Sequence, residues 1–297
     1  MNAMGYSSNP DQITRDYFDS LLLETRYLDS VTPTTEISLF GHSFATPIMT
    51  AALSHLHNTA PDGMVIYADG ANRANTLHWV GMGSEQELED ILKTGAKTIK
   101  IIKPHADNRE VFRKIEHAVG AGCFAVGMDI DHAFNSNGGY DNVMGLPMKA
   151  KSQEEIAQFV RAAGIPFIVK GVLSPLDARK CLDAGCAGIM VSHHHGMVQY
   201  SVPPLFVLQD IIAAVGNSIP VFVDCGIESG MDAYKCLALG AKAVGVGRHL
   251  MPLLKDGPDA VAGRIAAMTQ ELAGVMARTG IASPDRMDPA VIHRRNF

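Results

Sequence analysis

The chain has 297 residues, 47% of them hydrophobic and 19% charged, with a formal net charge of −6. This composition suits a globular protein with ample core material, and the lack of a long basic run and the few aromatics remove the footprint of a nucleic-acid binder. No apolar run reaches the length that crosses a bilayer, and the polar start MNAMGYSSNPDQ lacks the charged and apolar regions of a signal peptide, so the expected compartment is the cytoplasm, with no membrane partner.

Cys123, Cys181, Cys186, Cys225 and Cys236 are odd in number, lack C-x-x-C pairing and mostly sit in apolar segments, so they read as reduced core residues. Residues 10 to 30, ending LLLETRYLD, read as a helix leading into the fold. From there apolar strands alternate with amphipathic helices. In chain order these are TPIMTA (46 to 51), a helix opened by Asp62 or Gly63, TLHWV (76 to 80), a helix opened by Ser84, KTIKII (97 to 102) and a helix opened by Asp107. CFAVGMD (123 to 129), a helix opened by Ser152, PFIVK (166 to 170) and a helix opened by Ser174 with Pro175 in its first turn come next. CAGIMV (186 to 191), PVFVD (220 to 224), a helix opened by Gly230 and KAVGVG (242 to 247) complete the series.

Eight strand-helix units predict an α/β fold, a closed (β/α)8 TIM barrel, as a single domain. Residues 1 to 45 form its N-terminal helical extension, 46 to 279 the barrel and 280 to 297 a tail packed outside it. An open doubly wound sheet is the alternative, weakened by the lack of a G-x-G-x-x-G after a first strand.

In such a barrel the chemistry stands at the carboxyl ends of the strands. Those positions hold Ala51 and Ala52 after the first strand, Lys103 after the third, Asp129 and Asp131 after the fourth, and Lys170 at the end of the fifth. His193, His194 and His195 follow the sixth, Asp224, Cys225 and Gly226 close the seventh, and Gly247 and Arg248 the eighth. The last two loops suit a phosphate held by glycine N–H groups and an arginine, the plainer reading being two tight turns. Lys170, among apolar neighbours, points into the barrel mouth and needs an anionic partner, either a ligand or an internal carboxylate. The stretch VSHHHGMVQ leaves three readings open: a metal site, a base with its neighbours, or packed histidines. Side chains alternate along an extended segment, so His193 and His195 alone would share a side, and no metal is assigned.

The blocks PFIVKGVLSPLDARKCLDAGCAGIMVSHHHG and IPVFVDCGIESGMDAYKCLALGAKAVGVGR, with TPIMTAA and AGCFAVGMDIDHA more weakly, resemble the FMN-dependent α-hydroxy acid dehydrogenases and oxidases, glycolate and lactate oxidases among them. The resemblance covers most of the chain from residue 30 onward. It implies a barrel that binds FMN at its strand ends and oxidises 2-hydroxy acids, a histidine removing the α proton while hydride equivalents pass to the flavin. By position it implies Lys170 beside flavin N1 and O2, His194 as the base and Asp131 as the carboxylate that orients it. Ala51, Ala52, Gly81, Asp129, Ser192, Asp224, Cys225, Gly226, Gly247 and Arg248 complete the implied cofactor site. The small-molecule substrate is then a 2-hydroxy acid or related anion, and the protein a homo-oligomer of the tetrameric kind.

Departures fall at the substrate. The arginine that clamps the substrate carboxylate falls on Met197, its tyrosine helper on Lys103, and a second arginine near Asn137; methionine supplies no charge. Lys103 is the expected replacement anion partner. His193 takes an asparagine position and His195 a glycine position, and both narrow the space beside the flavin. The loop from Asp131 to Lys151 is short. Glu228 replaces a phosphate-binding arginine, which leaves FMN to Arg248 and backbone donors at reduced affinity unless the carboxylate turns away. Three functions compete: an FMN oxidoreductase with an altered substrate pocket, a flavin-binding barrel without hydroxy-acid catalysis, and a flavin-free barrel acting on a phosphorylated metabolite.

Overall fold

The computed structural model describes residues 7 to 295. Eight short strands, β1 (Ile48–Thr50), β2 (His78–Val80), β3 (Thr98–Ile102), β4 (Ala125–Asp129), β5 (Phe167–Val172), β6 (Gly188–Val191), β7 (Val221–Val223) and β8 (Ala243–Val246), run parallel in the order β1-β8-β7-β6-β5-β4-β3-β2. The two ends of that order meet. Thr50 N–H donates to Leu77 O at 3.3 Å, Gly81 N–H donates to Leu53 O at 2.8 Å, and Leu53 bridges Val80 in parallel. The sheet is therefore a nearly closed (β/α)8 barrel, and the open doubly wound alternative is excluded.

The outer layer consists of α2 (Gly63–Arg73), α3 (Glu85–Lys93), α4 (Asn108–Gly120), α5 (Gln153–Ala163), α6 (Pro175–Asp183), α7 (Pro204–Val215), α8 (Gly230–Ala238) and α9 (Pro258–Arg278), with α1 (Pro10–Ser20) preceding the barrel. Their starts follow from capping chemistry. The side chains of Ser84, Asp107, Ser152 and Ser174 each accept a backbone N–H of the first turn, and Ser152 with Glu155 forms a reciprocal capping box. The start of α8 differs by one residue from the expectation. Ser229 is the cap and Gly230 the first helical residue, because the hydroxyl, which glycine lacks, accepts Asp232 N–H.

Strand side chains alternate, and this places the site. Met49, Ile101, Ile168, Met190 and Phe222 fill the barrel interior, with Trp79 edge-on to Phe222 at 5.5 Å. The hairpin Ile37–Leu39 with His42–Phe44 closes its amino end. Two residues further along each strand, the same inward direction carries the chain past the packed layer to the mouth. Those residues are Ala51, Lys103, Lys170, Ser192 and Asp224.

The helix expected over residues 10 to 30 stops at Ser20. Leu21–Leu23 instead forms a strand antiparallel to Ile292–Arg294, because the tail offers its backbone hydrogen bonds there. Residues 296 and 297 of the expected tail, and the first six of the chain, lie outside the described residues. Among the described residues no helix is long and apolar enough to cross a membrane. All five cysteines are free, and four are buried.

Helix α1 is fastened to the barrel by charge. Arg15 holds Asp232 of α8 through two contacts, 2.9 Å and 3.2 Å, and the Asp232 carboxylate is only 5% exposed. Arg15→Ala removes the guanidinium from a buried carboxylate, at an expected loss of about 2 kcal/mol. Thermal unfolding should shift down by roughly 4 °C or more, with faster amide exchange over residues 10 to 20; an unchanged transition and unchanged exchange would contradict this docking.

Candidate active site

The barrel mouth is built around a buried ammonium group. Lys170 stands opposite Asp129 in the β4–β5 register, so both side chains leave neighbouring strands on the same side. Its Nζ lies 3.4 Å from Asp129 Oδ1, 3.6 Å from Asp224 Oδ2 and 3.3 Å from Ser192 Oγ. Lys103 Nζ reaches Asp129 Oδ2 at 2.7 Å. Burial by itself would strip the proton from Lys170, but Asp129 and Asp224 outweigh it and hold the group well above the usual lysine range. Burial would likewise raise Asp129, and the ammonium groups of Lys170 and Lys103 instead hold it far below the usual carboxylate range. The mouth thus carries fixed charges. The plainer expectation for Lys170, an internal ion pair, holds; it does not preclude a ligand role, since the residue also lines the cleft.

The three histidines do not lie on an extended segment. His194 and His195 have φ of 47° and 60°, so the chain turns after Ser192 and the expected alternation of sides does not apply. Each histidine has its own environment. His193 is 5% exposed; its Nδ1 accepts Gly196 N–H at 3.1 Å, which leaves Nε2–H to donate to Thr14 Oγ1 of α1 at 2.8 Å. It is a packing residue. His194 Nδ1 lies 3.1 Å and 3.2 Å from the two Asp131 oxygens and its backbone N–H donates to Ser192 Oγ at 3.2 Å. His195 lines the cleft, and burial, reinforced by Arg248, pushes it down to about 4, so it stays neutral.

Asp131 owes its place to a glycine. Gly171 follows Lys170 with φ of +89° at a register shift between β5 and β6. A Cβ there would meet Asp131 Oδ2 at 2.5 Å. Among the residues that sequence reasoning did not single out are Gly171 and His132, which directly follows Asp131. His132 Nε2 lies 3.1 Å from His194 Nε2, and burial lowers its proton affinity. The signal for it was present in DIDHA at the end of β4. Asp129, Asp131, His132 and His194 offer ligand atoms within 4.8 Å of one another, a set with the chemistry of a metal site.

Beside this cluster an open cleft runs from Lys170 towards the β7 and β8 loops. Ala51, Ala52, Ser192, His194, Asp224, Cys225, Gly226, Gly247 and Arg248 line it together with Lys170. Small residues on both strands β1 and β8 keep it open: a Cβ on Gly247 would approach Ala51 Cβ to 3.2 Å. The Tyr67 hydroxyl fixes that wall, accepting Ala51 N–H at 3.1 Å and donating to Val246 O at 2.7 Å. Burial and Asp224 push the Cys225 thiol up to about 12, so it is no thiolate. This lining fits FMN: a buried cation at one end, a slot walled by alanine and glycine, and an arginine with glycine N–H groups at the other.

The Arg248 end of the cleft carries a further constraint. Arg248 pairs with Asp11 of α1 at 2.9 Å, and a Cβ on Gly226 would meet Thr14 at 2.9 Å, so α1 packs over these loops. Glu228 is exposed at the rim, while its backbone carbonyl accepts from Arg264 of α9 at 2.9 Å. Of the other expected site residues, Gly81 lies at the β2 end with its carbonyl accepting from Lys100 at 2.5 Å, away from the cleft lining. Met197 is 42% exposed, and Asn137 stands on an exposed turn.

The FMN-dependent dehydrogenase family model matches the chain over residues 8–154 and 138–294. An L-lactate oxidase of Roseobacter sp. (strain GAI101) is 39% identical over 150 residues, half of this chain and 40% of that protein. The 4-hydroxymandelate oxidase of Amycolatopsis orientalis is 30% identical over 84% of this chain and 80% of its own length. A solved mandelate oxidase mutant with the monooxide FMN adduct superposes with a TM-score of 0.87 at 28% identity, covering 98% of this chain and 93% of that one. Fold, cleft and family match agree: the chain belongs to the FMN-dependent dehydrogenase family and is an oxidoreductase with FMN as its cofactor.

Proposed function

We propose that the chain oxidises a small 2-hydroxy acid in this cleft, with His194 taking the substrate's proton and Asp131 fixing the ring that takes it. The observation that carries the proposal is the Asp131 carboxylate 3.1 Å from His194 Nδ1. A carboxylate there holds the proton on Nδ1, leaves Nε2 as the acceptor and stabilises the imidazolium that forms. Lys170, kept protonated by its carboxylates, supplies a permanent cation beside the cleft. Arg248, Gly226 and Gly247 hold the phosphate end. FMN, when bound, supplies the acceptor for the hydride equivalents.

The grip on the substrate carboxylate is the altered element. Met197 offers no charge, and Lys103, the remaining cation, already shares its charge with Asp129 at 2.7 Å. Carboxylate binding through Lys103 is then weaker and less directional than a bidentate arginine clamp. The same observation favours a second reading, a flavin-binding barrel that no 2-hydroxy acid reduces. The family match favours both over a flavin-free enzyme.

His194→Ala should lower turnover about 10²- to 10⁴-fold while bound FMN, read from visible absorption, stays; retained turnover would sink the mechanism. Lys170→Ala should weaken FMN binding about tenfold or more, roughly 1.4 kcal/mol, by flavin fluorescence titration; equal affinity would show that the cation does not serve the cofactor. Gly171→Ala should displace Asp131 and lower turnover with FMN content unchanged, while thermal unfolding shifts down by the cost of the left-handed backbone, about 1–2 kcal/mol. Native turnover in that variant would mean that Asp131 does not position the base.

A further inference from the structure

The loop after β4 carries His132 to within reach of His194 from 62 residues away along the chain, and the two rings meet edge to face at 4.3 Å between centroids. Their Nε2 atoms are 3.1 Å apart. Each ring has a carboxylate facing its other nitrogen. Asp131 lies 3.1 Å and 3.2 Å from His194 Nδ1, nearer than Lys170 Nζ at 3.5 Å, and Asp141 Oδ2 lies 3.7 Å from His132 Nδ1. The Asp131 carboxylate places the His194 proton on Nδ1 and its lone pair on Nε2, as carboxylates do behind metal-ligating histidines, whereas His132 Nδ1 is buried with no hydrogen-bond partner and has the Asp141 charge nearby. At 3.1 Å the two Nε2 atoms share one proton in a hydrogen bond, and a metal cation taking the place of that proton would be coordinated by both rings.

The spacing suits one ion. Two nitrogens bound to a tetrahedral zinc at about 2.0–2.1 Å are roughly 3.3 Å apart, within a small ring movement of the separation found here. The surroundings suit a divalent charge. The carboxylates of Asp129, Asp131, Asp141 and Asp224 outnumber the ammonium groups of Lys103 and Lys170 around the same mouth. Asp129 and His132 add a further indication: the Asp129 side chain is 4% exposed and its Oδ1, 3.4 Å from Lys170 Nζ and 3.7 Å from His194 Nδ1, makes no hydrogen bond, and neither does the buried His132 Nδ1. The loop also builds the second carboxylate into place, since Asp141 N–H donates to Ala133 O at 3.1 Å and Asp141 O accepts Met148 N–H at 2.8 Å. Imidazole and carboxylate donors together select zinc-like ions over magnesium or calcium.

We propose that His132 and His194, backed by Asp141 and Asp131 and with Asp129 beside them, bind a divalent transition metal of the zinc class at the barrel mouth. Metal held by His194 Nε2 occupies the lone pair that takes the substrate's proton, so zinc occupancy and turnover exclude one another. That consequence rests on His194 being the base; the binding itself does not. His132 reaches the cleft only through His194 and does not itself line it, which makes it the residue that separates the two roles.

The test uses FMN-loaded protein without a polyhistidine tag, freed of metal by a chelator and titrated with zinc chloride in a calorimeter. Zinc retained after gel filtration is measured by atomic emission. The native protein is expected to retain about one zinc per chain, and His132→Gln to bind it about 10- to 100-fold more weakly, with unchanged FMN content reporting an intact fold. Equal zinc binding by the two proteins, or none by the native one, would overturn the site. Zinc should also slow bleaching of the flavin by a 2-hydroxy acid in the native protein and not in His132→Gln. Zinc that binds through His132 yet leaves bleaching untouched would keep the metal site and overturn His194 as the proton acceptor.

Discussion

The arrangement of the mouth depends on one buried ammonium group. Lys170 is 3% exposed, and a charge so far from water persists only because Asp129 and Asp224 stand within 3.4 Å and 3.6 Å of it. Barrel geometry supplies those partners. The β4–β5 register sets Lys170 against Asp129, and the neighbouring strands deliver Ser192 and Asp224 at the same height above the packed interior. Once Lys170 is fixed as a cation, Asp129 is fixed as an anion, Lys103 is drawn to its other oxygen, and Gly171 bends the chain so that Asp131 can turn towards His194.

The constraint has a cost at the substrate. A carboxylate entering the mouth meets Lys103 already bound to Asp129. The internal ion network is therefore complete without a ligand, and the charge left over around the two facing imidazoles is negative. On the proposed reading such a site holds its base firmly and an anionic substrate loosely, and its surplus of carboxylates suits a cation at the His132 side. At the other end of the cleft, α1 lies over the β6, β7 and β8 loops through Thr14, Arg15 and Asp11, so access to Arg248 passes the N-terminal helix.

Much of this was legible in the sequence because strands obey a period of two. Each apolar run marks a strand, and the residues at its carboxyl end reach the mouth; Ala51, Lys103, Lys170 and Asp224 were legible that way, and Ser192 only through the family resemblance. Helix starts were legible at Ser84, Asp107, Ser152 and Ser174, whose side chains do the capping, and missed by one residue at Ser229. What stayed hidden depends on contacts across the fold. The end of α1 at Ser20 reflects pairing with residues near 293, the left-handed turn at His194 and His195 defeats any argument from extended backbone, and His132 meets His194 only after its loop has folded back through Asp141. No local pattern encodes those closures, although the adjacent Asp131 and His132 at a strand end were a usable hint.

The central claim is that His194 accepts the proton that leaves a 2-hydroxy acid while the electrons pass to the flavin. The most direct measurement is anaerobic rapid mixing of the metal-free, FMN-loaded protein with a panel of 2-hydroxy acids and their 2-deuterated forms, following flavin absorption. The account predicts bleaching by at least one acid, slowed by deuterium at that carbon and lost in the His194→Ala protein. A flavin that no acid bleaches, or one bleached equally fast with His194 removed, would contradict it.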